Sequence, residues 1–291
     1  MKAHLRSKAG ISLWLAAILT TAVGLSSIAG EGRAFATNVP SAPSTCANPN
    51  SILNAMYGWH GEALVAVGNS PTPKVGDFVP IVQVGHLTFD GNGSISGAHD
   101  TSLGGRLIPH VDSGTYSVNS DCSTGTIFLS NGLIMSFVIT DGGREIKYVS
   151  ATTGGVNSGT LRLMAAAPCS ASTLSGKSYG YAANGLVGTT SVANSFPRVG
   201  GFVPFSNAGQ ISFEPDGSVS GMDNANLGGV VIPGRPIAGT YNVNADCTGT
   251  ATMTIAGVDH SWNLVILQDA DQVIFVAIPS GFVWAGTLTK S

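Results

Sequence analysis

Charged residues are scarce in this chain. Only 10% of its 291 residues are Asp, Glu, Lys or Arg, whereas ordinary soluble domains carry about 25%. Lys and Arg form no cluster after the first few residues, so the chain lacks the basic surface that binds phosphate backbones. We therefore predict no nucleic-acid partner and no docking to anionic lipid.

Helical periodicity is also missing beyond the N-terminal region. Short runs rich in Val, Ile, Thr, Phe and Tyr alternate with clusters of Gly, Asn, Asp and Ser, and 39 residues are glycine. This alternation is typical of successive antiparallel strands. In "GTYSVN", Tyr116 and Val118 lie on one face of a strand and the polar residues on the other. The chain is thus predicted to be all-β.

The first half contains about eight strands followed by a closing run. We predict them at Tyr57–Val67, Phe78–Val84, His86–Phe89, Ser94–Gly97, Gly114–Val118, Thr126–Leu129, Ile134–Ile139 and Ile146–Ala151, with Asn157–Leu163 closing the set. A meander of this length with one apolar face removes its edges by closing into an up-and-down barrel. We predict two such barrels in tandem. Two β-sandwiches are the alternative, and periodicity does not separate the two folds.

One long apolar stretch, Ile11–Ile28, lies near the N-terminus behind three basic residues. The small-x-small pattern Ala34-Phe35-Ala36 follows it, as in secretory leaders. We predict a signal peptide at residues 1–36, cleaved after Ala36, and a linker at 37–45. An uncleaved anchor is the alternative. No second stretch reaches spanning length, so we expect no membrane span after cleavage and a secreted protein, whether extracellular, periplasmic or at the cell surface.

Cleavage would make the chain more acidic. It would remove one of 16 acidic residues and four of 13 basic ones, which leaves a net charge of about −6; the residues are Glu31, Lys2, Arg6, Lys8 and Arg33. An acidic surface again argues against nucleic acid as a partner.

The strongest signal is an internal duplication. "VGDFVP" at Val75–Pro80 returns as "VGGFVP" at Val199–Pro204, a shift of 124 residues. "GTYSVNSDC" at Gly114–Cys122 returns as "GTYNVNADC" at Gly239–Cys247, a shift of 125. Because order and spacing persist, one unit has been copied in tandem. We place the first barrel repeat at residues 46–163, a linker at 164–168 and the second repeat at 169–291.

The four cysteines follow the duplication. Cys46 and Cys169 open the two copies, and Cys122 and Cys247 end the "GTY" strands. Four cysteines permit three pairings. A repeated unit should repeat its bridge, which favours Cys46–Cys122 and Cys169–Cys247. Four buried free thiols are the alternative.

The stretch "TFDGNGSISG" at Thr88–Gly97 resembles a calcium loop at first sight. Such a loop needs a carboxylate eleven positions after its first Asp, and Thr101 stands there. Both copies retain an aromatic residue, a short turn ending in Gly93 or Gly217, and Ser-x-Ser-Gly. We therefore predict a hairpin in which these glycines have positive φ.

Candidate polar site residues are found only in the first copy, because no histidine is duplicated. His60 and Glu62 share a strand face, His99 adjoins Asp100, and His110 precedes Asp112 by two residues. Together they would form an acid–base pair or ligands for zinc or copper. The alternative, which we favour, is scattered surface histidines in loops. We accordingly predict no catalytic residue, no metal and no cofactor.

The phrases "GHLTFDGNGSISG", "SGTYSVNSDCSTGT" and their second copies "GQISFEPDGSVSG" and "AGTYNVNADCTGT" resemble a group of uncharacterised exported bacterial proteins built on this unit. They also resemble, more loosely, small antiparallel barrels of the calycin and allene-oxide-cyclase-like type. The resemblance implies a small barrel. The glycine-rich signature of the cyclase group is absent, so no catalytic residue is transferred.

Three functions remain open. We favour a non-enzymatic binding module in which a barrel interior or mouth holds a small apolar ligand. The first alternative is a cell-surface or matrix protein for adhesion or assembly, with a cell-surface component as partner. The second is a barrel-type cyclase or isomerase, in which His60, Glu62, His99 and His110 would be the residues to replace.

Overall fold

The computed structural model describes residues 46–66, 74–191 and 198–291. The predicted leader with its cleavage site at Ala36, and the predicted linker 37–45, lie outside the described residues. All described residues belong to one compact unit.

Sixteen strands in the described part of the chain form two closed antiparallel barrels. The first contains β1 (Asn54–Ala66), β2 (Phe78–Asp90), β3 (Ser94–Leu103), β4 (Arg106–Val118), β5 (Thr124–Leu129), β6 (Ile134–Thr140), β7 (Glu145–Ser150) and β8 (Gly155–Leu163). The second contains β9 (Lys177–Gly188), β10 (Phe202–Phe213), β11 (Ser218–Leu227), β12 (Val230–Val243), β13 (Thr248–Ile255), β14 (Val258–Ile266), β15 (Gln272–Ala277) and β16 (Phe282–Lys290). The predicted tandem up-and-down barrels are confirmed, and the sandwich alternative is wrong.

Each barrel closes by pairing its first strand with its last. Tyr57 of β1 lies opposite Leu163 of β8, and Val187 of β9 lies opposite Phe282 of β16. Closure leaves no exposed edge along the paired residues, which is the reason for preferring a barrel to an open meander.

Several predicted strand boundaries are wrong. The predicted strands Ser94–Gly97 and Gly114–Val118 are parts of the longer β3 and β4, and one predicted break lies inside a strand. The segments predicted as Phe78–Val84 and His86–Phe89 are a single strand, β2, with Gly85 in its middle. A Cβ atom on Gly85 would overlap the carbonyl of Ala98 and the backbone of His99. Glycine therefore stands here because β2 and β3 approach closely, and not because the chain turns.

The turn predictions are confirmed. "TFDGNGSISG" forms the β2–β3 hairpin, in which the carboxylate of Asp90 accepts hydrogen bonds from the backbone N–H groups of Asn92 and Ser94. Gly93 has φ 111° and Gly217 has φ 84°. These are left-handed values that favour glycine.

The offset between equivalent residues of the two copies changes from 124 to 125 along the chain, and this change has a structural cause. The second copy carries one extra residue on β12, and the register of β11 against β12 shifts between Asp223 and Ala225. Gly234 accommodates the bulge with φ 62°, and its N–H donates to the side-chain oxygen of Asn224. As a result Arg235 lies directly opposite Asp223, as His110 lies opposite His99 in the first barrel.

One end of each barrel is built in the same way in both copies. A short helical turn precedes the first strand, Pro49–Ile52 in the first copy and α1 (Ala171–Leu174) in the second. The hydroxyl of Tyr116 donates to the carbonyls of Asn50 and Leu53. The hydroxyl of Tyr241 makes the same kind of bond to Ala171.

The same end carries an equivalent trio of aromatic rings. In the first barrel it is Tyr57, Phe89 and Tyr116, and in the second Tyr179, Phe213 and Tyr241. All four ring contacts are edge-to-face with centroids 4.9–5.6 Å apart. We call these the closed ends of the barrels.

The disulfides are Cys46–Cys122 and Cys169–Cys247, one within each copy. This is the pairing that the repeat predicts. Cys122 and Cys247 have positive φ and occupy equivalent turns. Asp121 and Asp246 cap these turns by accepting backbone hydrogen bonds.

The two barrels share a packed seam. Val82 and Val84 on the outer face of β2 are buried in the hydrophobic cluster of the second barrel. Asn263 of β14 donates to Asp100 of β3 across 2.6 Å. Met164, in the predicted linker, forms a β-bridge with Leu267. Across the described residues, no helix is long and apolar enough to cross a membrane.

Candidate functional site

Beyond the closed ends, the two barrel interiors differ. The strand registers make four interior positions of the two barrels equivalent. With the first-barrel residue given first, the pairs are Trp59 and Tyr181, Gln83 and Asn207, His99 and Asp223, and Asn157 and Trp284. All eight side chains are buried. Polar groups buried in a barrel must find partners inside it, so the partners decide what each interior can do.

In the first barrel, His99 lies beside Asp112, with Nδ1 of the ring 2.5 Å from a carboxylate oxygen. The side chains are 1% and 2% exposed. The other ring nitrogen, Nε2, lies 3.4 Å from the amide nitrogen of Gln83. Since an amide nitrogen only donates, Nε2 is the acceptor and Nδ1 carries the proton. Both nitrogens of this histidine are therefore used inside the protein.

A chain of hydrogen bonds continues from Gln83 across the barrel. The amide of Asn157 donates to Gln83 across 3.0 Å, and the hydroxyl of Tyr148 donates to Asn157 across 3.2 Å. The indole N–H of Trp59 donates to Tyr148 across 2.6 Å. Burial raises the pKa of Tyr148 far above its usual range, so its hydroxyl stays protonated.

His110 stacks on His99, with ring centroids 4.6 Å apart and an angle of 13° between the planes. Burial, followed by the neighbouring His99, lowers the pKa of His110. The structure thus brings two of the four predicted polar candidates together. Asp100, the sequence neighbour of His99, instead faces the second barrel.

His60 and Glu62 lie elsewhere, on the outer face of β1 that looks toward the second barrel. His60 lines a cavity of about 290 Å³ together with Arg162 and Gln272. Glu62 is exposed and lines a separate cavity of about 330 Å³. The two do share a strand face, but neither joins the His99 network. The four candidates do not form a single site.

In the second barrel, the carboxylate of Asp223 is the centre of the polar group. Arg235 binds it through two nitrogens, at 2.8 and 2.6 Å. Asn207 donates to it across 2.9 Å, and the hydroxyl of Tyr181 donates to it as well. Burial and the hydrogen bond to Asp223 raise the pKa of Tyr181 far above its usual range. The positive charge of Arg235 is therefore matched by Asp223.

Four buried side-chain atoms near this group have no hydrogen-bond partner within residues 46–66, 74–191 and 198–291. They are Asn207 Oδ1, His260 Nδ1, Trp262 Nε1 and Trp284 Nε1, here called the four open atoms. In the described part of the chain, the one other such atom is His60 Nε2, which belongs to the seam. The interior of the first barrel leaves no buried side-chain N or O atom of the described residues without a partner, whereas that of the second barrel leaves these four.

The four open atoms belong to one contiguous cluster. The rings of Trp262 and Trp284 meet edge-to-face with centroids 5.4 Å apart, and His260 contacts Trp284 at 6.0 Å. Tyr181 joins the two sides, since its ring packs on Trp262 and its hydroxyl accepts from Asn207.

The cluster lies toward the end of the barrel opposite α1. His260 and Phe282 lie at or near the beginnings of β14 and β16, and Phe205 lies in the first part of β10. Arg235 lies over the ring of Phe205, 5.8 Å from its centroid. We call this end, lined by Phe205, Arg235, His260 and Phe282, the aromatic mouth.

Reasoning from the sequence missed the second-barrel site because it looked for histidine and carboxylate together. The two copies differ at interior positions, and this difference is the signal that was missed. The closed end keeps equivalent aromatic residues, whereas Asn157 is replaced by Trp284 and His99 by Asp223. These replacements are the positions at which the two barrel interiors differ in chemistry.

Among the described residues, no group of three or more His, Cys, Asp and Glu side chains is placed to hold a metal ion. No family model matches the chain, and no curated protein matches it.

One solved structure that the chain is similar to is a protein of unknown function of the DUF3598 family from Nostoc punctiforme. The alignment covers 84% of this chain and 100% of that one, with 8% sequence identity and a TM-score of 0.24. No family membership and no function follow from this likeness.

Proposed function

We propose that the protein is an exported, non-enzymatic binding protein and that the second barrel holds a small molecule at its aromatic mouth. The observation that carries the proposal is the cluster of four open atoms. A buried donor or acceptor without a partner costs about 1–3 kcal/mol, and natural cores contain few of them. Four in one cluster are best explained by a ligand that completes their hydrogen bonds.

The size of the barrel supports this proposal. An eight-stranded barrel has an interior wide enough either to be filled by side chains or to hold one small ligand. The first barrel is bridged by its own network from Trp59 to Asp112. In the second barrel a smaller network surrounds Asp223, and the indole N–H groups of Trp262 and Trp284 have no partner among the described residues.

Export is part of the proposal and is supported by the two disulfides. Such bridges form and persist in oxidising compartments outside the cytoplasm. Each closes a long loop, with sequence separations of 76 and 78 between the paired cysteines.

The test is ligand-observed NMR with a library of small fragments on the full mature chain. We expect fragments that bind the wild type and lose binding in Trp262→Phe and Trp284→Phe, which remove one donor each but keep an aromatic ring. His60→Gln and Glu62→Gln, in the seam, should leave binding unchanged. If binding is lost in the seam variants instead, or if no fragment binds and a high-resolution crystal structure shows water alone at the four open atoms, the proposal is wrong.

A cell-surface partner is a second candidate because of the exposed part of β12. This strand pairs with β13 only over Ile237–Val243, and its earlier residues Val230 and Val231 are 49% and 65% exposed. Exposed apolar residues on a free strand edge are typical of contact surfaces. Binding to cell-wall material that is lost in Val231→Lys, while fragments still fail to bind the second barrel, would favour this function.

The cyclase or isomerase alternative would depend on the pair His99 and Asp112. Both nitrogens of His99 are already bonded, so this histidine would need to exchange Gln83 for a substrate. Turnover of any compound that disappears in His99→Gln would support the enzyme.

A further inference from the structure

We infer that the ligand of the second barrel is a small uncharged molecule of the amide type, which both donates and accepts hydrogen bonds. This inference rests on the proposed function. The inference follows from the chemistry of the four open atoms, from the charges around them and from the way the aromatic rings are packed.

The open atoms prescribe complementary groups on the ligand. An indole N–H only donates, so Trp262 and Trp284 require acceptors. A side-chain amide oxygen only accepts, so Asn207 requires a donor. A hydrocarbon satisfies neither requirement and would leave all four atoms unbonded at the cost given above. An amide carries a carbonyl acceptor and an N–H donor in one rigid group.

The charges exclude an ionic ligand. Asp223 is saturated by Arg235, Asn207 and Tyr181, and the charge of Arg235 is neutralised in return. Burial first, and then Arg235, lowers the pKa of His260 below its usual value of 6.5, which keeps the ring neutral at physiological pH. An anion or cation placed here would lose its hydration without gaining a counter-charge.

The ring packing decides between a sugar and an amide. Trp262 stacks on Phe275 with centroids 4.0 Å apart and an angle of 12°. Trp284 makes edge-to-face contacts with Phe205, Trp262 and Phe275. One face of Trp262 is thus covered by Phe275, and Trp284 is surrounded by three other rings. A sugar ring binds by stacking on an open aromatic face, whereas an amide needs only the N–H edges.

Two of the four side chains that line the aromatic mouth are apolar rings. Phe205 and Phe282 at the aromatic mouth are partly exposed, while Trp262 and Trp284 behind them are each 1% exposed. A ligand therefore passes aromatic side chains before it meets the open atoms, which suits an amide on a flat apolar body.

The experiment compares four probes of nearly the same shape: benzamide, benzoate, benzamidine and toluene. They differ in charge and in hydrogen-bonding groups, and their affinities for the full mature chain are measured by calorimetric titration near neutral pH. We expect benzamide to bind at least about tenfold more tightly than each of the others, equivalent to about 1.4 kcal/mol. Trp262→Phe and Trp284→Phe should each weaken benzamide about tenfold and leave toluene unchanged.

Trp59→Phe is the matched control, because it removes an indole N–H that is already bonded in the first barrel. It should not change the affinity for benzamide. The two test variants remove different atoms, so either can decide the question if the other fails to fold.

The outcomes separate this inference from the proposed function. If toluene binds as tightly as benzamide, or if benzoate or benzamidine binds more tightly, the amide class is wrong while small-molecule binding stands. If library fragments bind but none of the four probes does, the class is again wrong. If neither probes nor fragments bind, both proposals fail together.

Discussion

Gln83 and Asn207 occupy the same position in the two barrels, yet only Gln83 has its side-chain oxygen bonded. In the first barrel that oxygen accepts from Asn157. In the second barrel Trp284 of β16 stands where Asn157 would be, and its indole does not replace the lost bond to Asn207 of β10. With Trp284 in the place of Asn157, the acceptor Asn207 Oδ1 and the donor Trp284 Nε1 are both left open in the second barrel.

The first prediction compares the free energies of unfolding of two variants that each lose one indole. Trp59→Phe breaks a hydrogen bond to Tyr148, whereas Trp284→Phe removes an atom that has no partner among the described residues. Both variants lose similar volume, so the difference isolates the hydrogen bond. We expect Trp59→Phe to lower the free energy of unfolding by about 1–2 kcal/mol more than Trp284→Phe does.

Urea denaturation of the ligand-free protein measures this difference. Equal losses would mean that the indole of Trp284 is bonded in solution, for example to an ordered water. A larger loss for Trp284→Phe would contradict the assignment of open atoms to the second barrel.

The second prediction concerns glycines inside strands. Gly85→Ala should destabilise the protein by about 2–4 kcal/mol, since the new methyl group would overlap the backbone of β3. Gly180→Ala, on the outer face of β9, should stay within about 0.5 kcal/mol because its nearest neighbour is 3.9 Å away. Thermal unfolding of the two variants checks the contrast, and a tolerated Gly85→Ala would show that β2 and β3 are farther apart than described.

The third prediction concerns acid. Burial holds the pKa of His260 below 6.5 in the folded chain, while the unfolded chain takes up a proton near 6.5. The stability that this neutral ring provides is complete above pH 6.5 and is lost as the pH falls from 6.5 toward the folded pKa. His60, His86 and His110 have pKa values lowered mainly by burial and act in the same direction.

We therefore expect the wild type to be less stable at about pH 5 than at about pH 7.5, and His260→Gln to show a smaller difference. Urea midpoints at the two values measure it. His110→Gln should also reduce the difference, because burial lowers the pKa of this ring as well. An unchanged pH dependence in His260→Gln would show that folding does not lower the pKa of this ring.

The fourth prediction concerns the disulfides. Replacing Cys169 and Cys247 by Ala should cost ~3–5 kcal/mol, because the bridge restricts a loop of 78 residues in the unfolded chain. The reciprocal variant, Cys46 and Cys122 to Ala, should cost a similar amount. Calorimetry measures both, and a negligible loss in either copy would mean that its bridge does not form.

The sequence predicts the fold well because its signals are local. Gly93 and Gly217 identify hairpin turns, Tyr116 and Val118 show the period of two, and the repeat places the cysteines in equivalent positions. The break predicted at Gly85 is wrong because a glycine needed for close strand approach resembles a glycine needed for a turn.

The site was harder to predict because it depends on contacts between distant residues. His99 meets Asp112 and not its neighbour Asp100, because alternate residues of a strand point to opposite faces. The pairing of Asp223 with Arg235 depends on the bulge at Gly234, which changes the register by one residue. Whether an indole has a partner cannot be read from sequence at all, since the partner comes from another strand.

The buried position of Val82 and Val84 has a consequence for separating the two barrels. These valines lie on the outer face of β2, where the second barrel covers them. A first barrel produced without the second would expose both side chains to water, and exposed apolar patches of this kind favour aggregation. Each barrel closes its own sheet, yet the solubility of the first depends on the presence of the second.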